Sequence, residues 1–457
     1  MKALKVSDIL KATGGRLLSS GGNEEIYSIS TDSRKIEKGC LFVPLVGENF
    51  DGHNFLESAV SAGAVAVLTQ RNELVPNAED VCVIDVDNTM TALGAIAALY
   101  RSMFKIPAIG ITGSVGKTTT KEMCAEVISR KYNVHKNAGN FNNEIGVPLT
   151  IFGLDDSHDI LISEMGMSGF GEIDRISKMV KPEIVIMTNI GMSHIELLGS
   201  QENIYKAKSE FIKNMNPEGT VIINGDDKIL ISHKDELGKH VITVGISNKD
   251  CDLVAENIKS DSEGVSFTVS GMDEHFNVKL SIPGEHNVYN ALSACAVGML
   301  CRIKNSDMAS ALLGFTPDSM RMCVIESNDF TVINDCYNAA PDSVEAALKV
   351  LSGYEGRKVA VLGDIACLGQ YSYGAHKNLG AAVCKNEIDV LITIGEQARL
   401  IGEGAFENGM DSAKIFSFDN VEEALNKIHS IIRTKDTILV KASRVMKLER
   451  VTEFLTK

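Results

Sequence analysis

The sequence predicts an α/β protein built from three domains, and three observations support this prediction. The chain has 457 residues, and roughly 150 residues per domain gives a prior of about three domains. Short apolar strands alternate with helical segments between residues 106 and 224 and again between 358 and 443, a pattern typical of parallel sheets covered on both faces. The composition, 44% hydrophobic and 23% charged, is that of packed globular domains.

Changes in this pattern predict the first two domains. A first domain over residues 1–85 combines short strands and helices around a polar turn cluster at 30–39. A central domain over 86–313 begins with a bridging helix at 89–104, followed by strands at 106–112, 159–165, 183–190 and 220–224. Polar and apolar residues then alternate over 252–283, which predicts a small antiparallel insertion, and a helix follows at 286–300.

The third domain, residues 314–457, returns to the parallel pattern. Its predicted strands lie at 358–364, 389–395 and 436–443. Because each of the first two strands leads into a helical segment, we expect a Rossmann-like α/β domain.

The charge balance argues against two classes of protein. The chain carries 45 Lys and Arg residues against 60 Asp and Glu residues, a formal net charge of −15. General nucleic-acid binders and binders of anionic membranes show a basic surplus instead. No apolar run approaches the roughly 18 residues that a membrane span requires, and the N-terminus lacks the apolar core of a secretory signal. We therefore expect neither nucleic-acid binding nor membrane insertion.

Ten cysteines are scattered through the chain without a CxxC pair or a zinc-like Cys/His spacing. Most lie in apolar stretches, so we interpret them as small hydrophobic side chains in a reducing compartment. This predicts a cytoplasmic protein.

The strongest local signal is the segment ITGSVGKTTTKEM, residues 111–123. A strand leads into a glycine turn and a helix begins near Lys117, a geometry that aims backbone N–H groups and the helix dipole at a phosphate. Lys117 would reach the β- and γ-phosphates, and the Thr118 hydroxyl would ligate Mg²⁺. The first glycine of the usual GxxxxGK[ST] pattern is Ile111 here. An ordinary strand–turn–helix with a surface lysine is the alternative.

Two polar residues follow central strands, at the sheet edge where ligands of open parallel sheets bind. Glu164 follows the apolar run DILIS, and His194 follows IVIMTNIGMS. Together with the Thr118 hydroxyl they are candidates for anchoring Mg²⁺ that bridges ATP phosphates. From spacing alone the alternatives stay open, because Glu164 also suits a helix N-terminus and His194 an ordinary turn.

Two further features each allow two interpretations. Lys208, in YKAKSEF, is either part of a solvated helix face or a lysine that faces the γ-phosphate, free or as a carbamate formed with CO₂. The sequence alone favours the solvated face. The segment NAGNFNNEIGVP, residues 137–148, contains four Asn and two Gly, which suits turn chemistry as well as an amide-rich loop over a polar substrate.

Several motifs, taken together and in order, resemble those of the Mur ligases. They are TGSVGKTTTK, GNFNNEIGVP, EMGMSGFGEI, TNIGMSHIELLGSQENIYKAKSE, NGDD, GEHNVYNALSA, DCYNAAPDS and LVKASR. The N-terminal stretch DSRKIEKGCLFVPLVGENFDGHNF is similar to the uridine-nucleotide module shared by the later members of that family. The resemblance covers nearly the whole chain.

The resemblance implies a reaction and a task for each domain. The first domain would bind the UDP end of a substrate, the central P-loop domain would bind ATP, and the third would bind the incoming amine. The motifs are most similar to members that join D-alanyl-D-alanine to UDP-N-acetylmuramoyl-tripeptide in peptidoglycan precursor synthesis. The implied chemistry is ATP-dependent, ADP-forming amide ligation through an acyl phosphate, by a protein that we expect to be a monomer.

The resemblance also implies roles for individual residues. The ATP-binding positions would be Gly113, Ser114, Val115, Gly116, Lys117, Thr118, Thr119, Asn287, Asn290, Arg321 and Asp335. Magnesium would be held by Thr118, Glu164 and His194, and catalytic roles would fall to Lys117, Glu164, His194 and Lys208. Lys208 occupies the position that is a carbamylated lysine in some relatives.

Substrate-binding positions follow from the same resemblance. The UDP end would face Asp32, Ser33 and Arg34, and the peptidyl arm would face Asn140 and Asn143. In the third domain, the implied positions are Tyr337, Asn338, Lys441, Ser443 and Arg444.

The third domain departs from the family pattern in three motifs. The usual YNANP is YNAAP with Ala340, the usual GDMLELGE is GDIACLGQ with Cys367 and Gln370, and the usual KGSR is KASR with Ala442. Because this domain would bind the amine, a Mur-type paralogue that joins a different amine or acyl acceptor is an alternative. A catalytically inactive nucleotide-binding protein is a second alternative, against which the retained Glu164, His194 and Lys208 argue.

Overall fold

Three large β-sheets flanked by helices organise the chain. The structure is a computed structural model that describes residues 1–22, 25–71, 80–238, 240–327 and 329–456. The sheets have five, nine and six strands and follow one another along the sequence. The predicted α/β class with three domains is therefore confirmed, whereas the domain limits at 85/86 and 313/314 stay predictions.

The N-terminal sheet has five strands and is mostly parallel. The strands of this region are β1 (Leu4–Lys5), β2 (Arg16–Ser20), β3 (Glu25–Ile26), β4 (Ser28–Ser30), β5 (Cys40–Phe42), β6 (Val46–Gly47), β7 (Phe50–Asp51), β8 (Ala64–Thr69) and β9 (Cys82–Asp85). The order is β2-β9-β8-β5-β4, with β2 antiparallel to β9, while β1 pairs with β3 and β6 with β7 in separate ribbons. The helices are α1 (Val6–Thr13), α2 (Leu56–Ser61) and α3 (Thr89–Ser102).

The bridging helix predicted at 89–104 is α3. It begins after Asn88, whose side chain accepts a hydrogen bond from the Thr91 amide, as expected for a helix N-cap. Its buried Leu93 and Ile96 belong to a hydrophobic cluster that also contains residues of the first and central sheets. The helix therefore joins the two units by packing as well as by sequence.

The central sheet has nine strands, and the glycine turn follows the carboxyl end of an inner strand, β10. Its strands are β10 (Ala108–Thr112), β11 (Val134–Lys136), β12 (Ile160–Glu164), β13 (Ile184–Met187), β14 (Thr220–Asn224), β15 (His240–Gly245), β16 (Leu253–Asp261), β17 (Gly264–Gly271) and β18 (Glu274–Leu280). Its helices are α4 (Lys117–Ile128), α5 (Gly146–Phe152), α6 (Glu172–Val180), α7 (Ile195–Leu198), α8 (Gln201–Lys208), α9 (Lys228–Ser232), α10 (His286–Leu300) and α11 (Asn305–Leu313).

The strand order of this sheet is β11-β12-β10-β13-β14-β15-β16-β17-β18. The pairings are parallel as far as β16 and antiparallel from β16 to β18. The predicted antiparallel insertion therefore exists, but it extends the parallel sheet instead of standing apart from it. Successive buried side chains of β10 point to opposite faces of the sheet. Ile109 and Ile111 pack with α4 and α10 on one face, whereas Ala108 belongs to the cluster that contains α3.

The third sheet has six strands and helices on both faces. Its strands are β19 (Cys323–Glu326), β20 (Thr331–Asn334), β21 (Lys358–Gly363), β22 (Val390–Ile394), β23 (Ile415–Phe418) and β24 (Thr437–Lys441). Its helices are α12 (Pro341–Ser352), α13 (Ser372–Lys385), α14 (Arg399–Glu407), α15 (Val421–Ile431) and α16 (Glu449–Leu455). The order β19-β20-β24-β21-β22-β23 is parallel except for the first pair. The last strand thus lies in the middle of a doubly wound sheet.

Most predicted elements are present with shorter limits. The helix predicted at 286–300 is α10, with the same limits, and the four central strands correspond to β10, β12, β13 and β14. The strand predicted at 220–224 keeps its limits as β14, whereas the other three central strands are shorter by two to four residues, as β10 is without Ile106 and Pro107. Within the described ranges, no helix combines the length and apolar character that crossing a membrane requires.

We predict that a close helix crossing makes the third domain sensitive to one methyl group. A Cβ at Gly380 in α13 would lie 2.3 Å from the backbone oxygen of Ile401 and 2.3 Å from the backbone nitrogen of Ala405 in α14. Gly380→Ala should therefore lower the free energy of unfolding by about 2 kcal/mol, although alanine favours helix formation. Urea unfolding followed by circular dichroism measures the change.

The matched control for this prediction is Gly374→Ala in the same helix. A Cβ at Gly374 meets nothing within 4 Å, so this variant should be neutral or stabilised by up to about 1 kcal/mol. Equal stability of the two variants would contradict the close-crossing argument.

Candidate functional site

The glycine turn after β10 has the backbone geometry of a phosphate loop. Gly113 and Gly116 have φ values of 143° and 87°, which favour glycine. A Cβ at Gly113 would lie 1.9 Å from the Thr188 hydroxyl oxygen, so a side chain is excluded there. Gly116 is the N-cap of α4, and the free N–H groups of the first turn of this helix can receive an anion.

Side chains of the segment after β13 hold this loop in place. The Val115 amide donates to the Asn189 side-chain oxygen at 2.9 Å, and the Thr188 hydroxyl donates to the Val115 carbonyl at 2.6 Å. The Gly191 amide donates to the Ser114 hydroxyl at 2.9 Å. The phosphate loop is therefore fixed by its neighbour.

Lys117 points back toward the loop. Its Nζ donates to the carbonyl oxygens of Gly113 at 2.9 Å and Ser114 at 3.2 Å. Burial lowers the pKa of Lys117, and the nearby Glu164 carboxylate opposes this effect in part. A lysine whose charge is poorly hydrated is well suited to pair with an anion in the same space.

Glu164 ends β12 and lies beside the first turn of α4. Its side chain is 2% exposed, and its Oε2 accepts a hydrogen bond from the Thr118 hydroxyl at 2.8 Å. Its Oε1 accepts from the Asn142 amide at 2.7 Å. The buried carboxylate and hydroxyl are a preassembled pair of oxygen atoms that could bind a cation, and the carboxylate also lies at the N-terminus of α4, so both interpretations of Glu164 agree with this position.

His194 lies in the turn before α7 with a left-handed φ of 66°. Burial lowers its pKa to about 4, and the positive charges of Lys208 and Lys117 act in the same direction. The imidazole is therefore neutral near pH 7 and keeps a lone pair for a metal ion or a proton.

Lys208 does not lie on a solvated helix face, and that interpretation is wrong. The side chain is 1% exposed, at the end of α8, and its Nζ donates to the Gly113 carbonyl at 2.8 Å. Burial lowers its pKa well below the ordinary value, with a further lowering by Lys117. Lys208 follows Ile204 by four residues and Tyr205 by three, on the buried face of α8, so helical periodicity was an available signal, which the polar residue type obscured.

A cleft of about 440 Å³ opens in front of these groups, between the central and third sheets. Most of the predicted site residues line it: Ser114, Val115, Gly116, Lys117, Thr118, Thr119, Asn140, Asn143, Glu164, His194, Asn287, Asn290, Arg321, Asp335, Tyr337, Asn338 and Lys441. The fold therefore gathers at one site residues that are spread over more than 300 positions of the sequence.

The third-domain wall of the cleft is built from two charge contacts. The Arg321 guanidinium stacks over the Tyr337 ring at 3.9 Å from its centroid. Lys441 Nζ lies 2.5 Å from Asp335 Oδ2 and 3.1 Å from the Asn338 carbonyl. Because Asp335 Oδ1 also accepts from the Met322 amide at 3.1 Å, this carboxylate is fixed at both oxygens.

A chain of buried amides forms the opposite end of the cleft. Asn290 Oδ1 accepts from the Thr120 hydroxyl at 3.0 Å, and Asn290 Nδ2 donates to Asn287 Oδ1 at 3.2 Å. Asn287 Nδ2 in turn donates to the Pro283 carbonyl at 2.8 Å. This chain attaches α10 to α4 behind the glycine turn.

Several predicted residues do not line the cleft. Lys208 and Gly113 lie behind the loop, and the Asp32–Ser33–Arg34 turn lies in the first domain. There Asp32 binds the Arg34 guanidinium at 2.9 Å, and hydrogen bonds from the Arg34 side chain and backbone lower the pKa of Asp32 to about 2. Ser443 accepts from the Ala366 amide at 2.8 Å, and Arg444 pairs with Glu449 at 3.0 Å.

Sequence reasoning missed two residues that organise the site. Within the amide-rich segment it selected Asn140 and Asn143, yet Asn142 is the residue bonded to Glu164. Lys121, 0% exposed, donates to the Asn137 carbonyl at 2.8 Å and the Gly139 carbonyl at 3.3 Å. The density of Asn in this segment was the available signal for Asn142. The sequence contains no corresponding signal for the burial of Lys121.

The departures from the family pattern lie in different places. Ala340 lines the cleft, as the N-cap of α12. Cys367 and Gln370 lie outside it, in a turn that contacts α7 through the Cys367 carbonyl. Ala442 is fully buried behind β24, where a Cβ at Gly363 would approach it to 2.7 Å. One of the four substituted positions therefore faces the cleft.

Family models match three consecutive stretches of the chain. They are the Mur ligase family catalytic domain over residues 25–101, the Mur ligase middle domain over 111–298 and the Mur ligase glutamate ligase domain over 320–444. The middle-domain match contains the glycine turn, Glu164, His194 and Lys208, and the third match contains the opposite wall of the cleft.

Two curated relatives match nearly the full length. The UDP-N-acetylmuramoyl-tripeptide–D-alanyl-D-alanine ligase of Bacillus subtilis is 39% identical over 94% of this chain and 93% of its own length. The ligase of the same name from Escherichia coli is 32% identical and covers 100% of this chain and 99% of its own length.

Solved structures agree with these matches. MurF from Acinetobacter baumannii is 30% identical with a TM-score of 0.90, and the match covers 100% of this chain and 99% of that chain. MurF ligase from Thermotoga maritima, solved in complex with ADP, is 26% identical with a TM-score of 0.84, covering 94% and 97%. Similarity at this level over all three units leads to one conclusion: the chain belongs to the Mur ligase family.

Proposed function

We propose that the protein is an ATP-dependent, ADP-forming ligase that adds D-alanyl-D-alanine to UDP-N-acetylmuramoyl-tripeptide in peptidoglycan precursor synthesis. The observation that carries this proposal is the cleft in which a phosphate loop, a buried carboxylate–hydroxyl pair and a neutral imidazole face a third-domain wall. Full-length relatives that share this name, at 31–39% identity in several bacteria, support the same substrates.

ATP fits the glycine turn by its chemistry. The N-terminus of α4 offers backbone N–H donors, and the excluded side chain at Gly113 keeps the loop close to its neighbour. Lys117 Nζ already lies at the loop, bonded to two of its carbonyls, where it could also donate to phosphate oxygens. Asn287, Asn290, Arg321 and Asp335 are our candidates for the remainder of the nucleotide.

Magnesium fits the ligand set formed by Thr118, Glu164 and His194. Thr118 and Glu164 supply hard oxygen donors already 2.8 Å apart, and the low pKa of His194 keeps its ring nitrogen unprotonated. When bound, the ion would neutralise charge on the phosphates during transfer. Among the described residues, no three or more His, Cys, Asp or Glu side chains lie close enough together to hold a metal ion by themselves. A magnesium site here would therefore need the Thr118 hydroxyl as well as phosphate oxygens.

The reaction divides between the two walls of the cleft. On the central wall, Lys117 and the loop amides hold the γ-phosphate while the substrate carboxylate attacks phosphorus and ADP leaves. On the third-domain wall, the neutral amine attacks the acyl carbon of the resulting acyl phosphate, the bond from that carbon to the phosphate oxygen breaks, and inorganic phosphate leaves as the nitrogen loses a proton. Tyr337, Asn338 and Lys441 are our candidates for orienting that amine. Enclosure between the walls protects the acyl phosphate from water.

Substrate recognition extends away from the cleft. We assign the UDP end to the Asp32–Ser33–Arg34 turn and the peptidyl arm to Asn140 and Asn143, and we keep Ser443 and Arg444 as candidate substrate residues of the third domain. Since ATP and UDP-linked precursors are metabolites of the cytoplasm, we assign the protein to that compartment.

Lys208 is suited to carbamylation. CO₂ adds only to a neutral amine, and burial with the charge of Lys117 lowers the pKa of Lys208 strongly. The product would place a carboxylate on a long side chain near the Lys117 ammonium, which could pair with it, and near the neutral His194 ring.

A paralogue that joins a different amine is the second candidate. The substitution at Ala340 favours it, because this position lines the cleft. Cys367, Gln370 and Ala442 do not favour it, because they lie away from the cleft.

One experiment tests the proposed reaction. The protein is incubated with UDP-N-acetylmuramoyl-tripeptide, ATP and either D-alanyl-D-alanine or a panel of other amines, and products are identified by mass spectrometry. We expect the pentapeptide product with D-alanyl-D-alanine, and transfer of ¹⁸O from the labelled tripeptide carboxylate to inorganic phosphate. Lys117→Ala should abolish both. Product formation with another amine alone would support the paralogue instead.

A further prediction concerns the role of Lys208. Lys208→Ala should lower the rate of phosphate release by about 100-fold or more, a loss comparable to removing one preorganised charged group from an active site. If the residue acts as a carbamate, formate should restore a measurable part of the rate, because it supplies a small carboxylate. The control is Lys206→Ala in the same helix, whose side chain is 59% exposed and should leave the rate unchanged. Rescue by methylamine instead of formate would indicate an unmodified lysine.

The pKa of His194 makes a prediction about pH. Because its pKa is lowered to about 4, the imidazole stays neutral between pH 7.5 and 5.5, and the ratio of the magnesium-dependent ADP dissociation constants of His194→Gln and the wild type should change less than twofold over this range. A histidine with the ordinary pKa of about 6.5 would lose roughly tenfold there. Isothermal titration calorimetry measures the dissociation constant. A tenfold weakening that disappears in His194→Gln would contradict the prediction.

A further inference from the structure

A turn of the third domain lies against the helix that follows His194. We call residues 367–371 the docking turn. The Cys367 carbonyl accepts a hydrogen bond from the Glu196 amide at 3.3 Å, and the Tyr371 hydroxyl donates to the Gly199 carbonyl at 2.7 Å. These bonds connect the two ends of α7 to a different domain.

The contact is close-packed as well as hydrogen-bonded. Gly369 has a left-handed φ of 51°, and a Cβ there would lie 2.9 Å from Glu196 Cγ. Leu368 of the turn and Ile195 and Leu198 of α7 are nearly fully buried and belong to one hydrophobic cluster. A loose encounter between two domains would not bury apolar side chains in this way.

A second contact from the third domain lies on the other side of His194. A Cβ at Gly191 would lie 2.2 Å from Asp342 Oδ2, so this carboxylate at the start of α12 lies directly over the Gly191 backbone. The segment 191–199 is thus contacted by the third domain both before and after His194.

The same segment is bonded to the phosphate loop. The Gly191 amide donates to the Ser114 hydroxyl at 2.9 Å, and the Ser193 hydroxyl donates to the Ser114 carbonyl at 3.4 Å. The third domain is therefore connected to the phosphate loop through one short segment with a left-handed residue, His194, in its middle.

We propose that the docking turn is a positioning element that fixes the third-domain wall relative to His194 and the phosphate loop, with Tyr371 as its main positioning residue. Its consequence for catalysis rests on the proposed function: the wall that orients the amine is held at a set distance from the acyl phosphate formed opposite.

Removal of one hydroxyl tests this proposal. Tyr371→Phe keeps the ring and deletes the bond to Gly199, and the control is Tyr373→Phe, whose side chain is 63% exposed two residues further along. By hydrogen exchange measured with mass spectrometry, amides of residues 195–199 should exchange about fivefold faster in Tyr371→Phe, the factor expected for one net hydrogen bond. Tyr373→Phe should exchange like the wild type, and both variants should melt close to it.

The kinetic readout separates positioning from a general loss of structure. In Tyr371→Phe we expect the KM for D-alanyl-D-alanine to rise threefold or more, while the dissociation constant for ADP changes less than twofold. Gly369→Ala forces the turn away from Glu196. Like Tyr371→Phe, it should raise the exchange rate at 195–199 and the KM for D-alanyl-D-alanine.

Two results would overturn the proposal. One is amide exchange at 195–199 that stays at the wild-type rate in Tyr371→Phe, as it does in the Tyr373→Phe control. The other is a dissociation constant for ADP that rises in Tyr371→Phe by the same factor as the KM for the dipeptide. If the wild-type protein makes no product with any amine, the proposed function fails, yet the exchange measurement still decides whether the docking turn holds α7.

Discussion

The site depends on an imbalance of buried charge behind the phosphate loop. Two lysines, Lys117 and Lys208, share this space with one carboxylate, Glu164, and both donate to the Gly113 carbonyl. Burial makes two positive charges costly next to a single negative one, which lowers both lysine pKa values and that of His194. An added anion relieves this cost, so the pocket favours a polyphosphate, a carbamate or both before any specific contact to the rest of a ligand.

The surrounding architecture keeps this charged group fixed. The carboxyl ends of β10, β12 and β13 lie side by side, so the glycine turn, Glu164 and the His194 segment all leave the sheet at one edge. β10 and β12 are buried at every position, since helices cover both faces of the sheet, and this packing makes the edge rigid. The third sheet then closes the open side, with its own ion pair between Asp335 and Lys441 facing the cleft.

The sequence was sufficient for features that repeat or that have a local mechanism. Strand–helix alternation predicted the three-unit α/β fold, and the glycine turn with Lys117 and Thr118 predicted the phosphate loop, because local backbone chemistry defines it. The burial of Lys208 depended on how its helix packs. The choice of Asn142 over Asn140 depended on the direction of each side chain, which spacing does not give. The docking turn joins residues about 170 positions apart, so neither spacing nor periodicity could reveal it.

The burial of Lys121 has a consequence for inhibition. This lysine lies in α4, four residues after Lys117, and its ammonium holds the carbonyls of Asn137 and Gly139 in the amide-rich segment. The helix that cradles phosphate and the loop assigned to the acyl donor therefore share one anchor. An inhibitor that moves the amide-rich segment therefore also pulls on α4, through the bonds of the Lys121 ammonium.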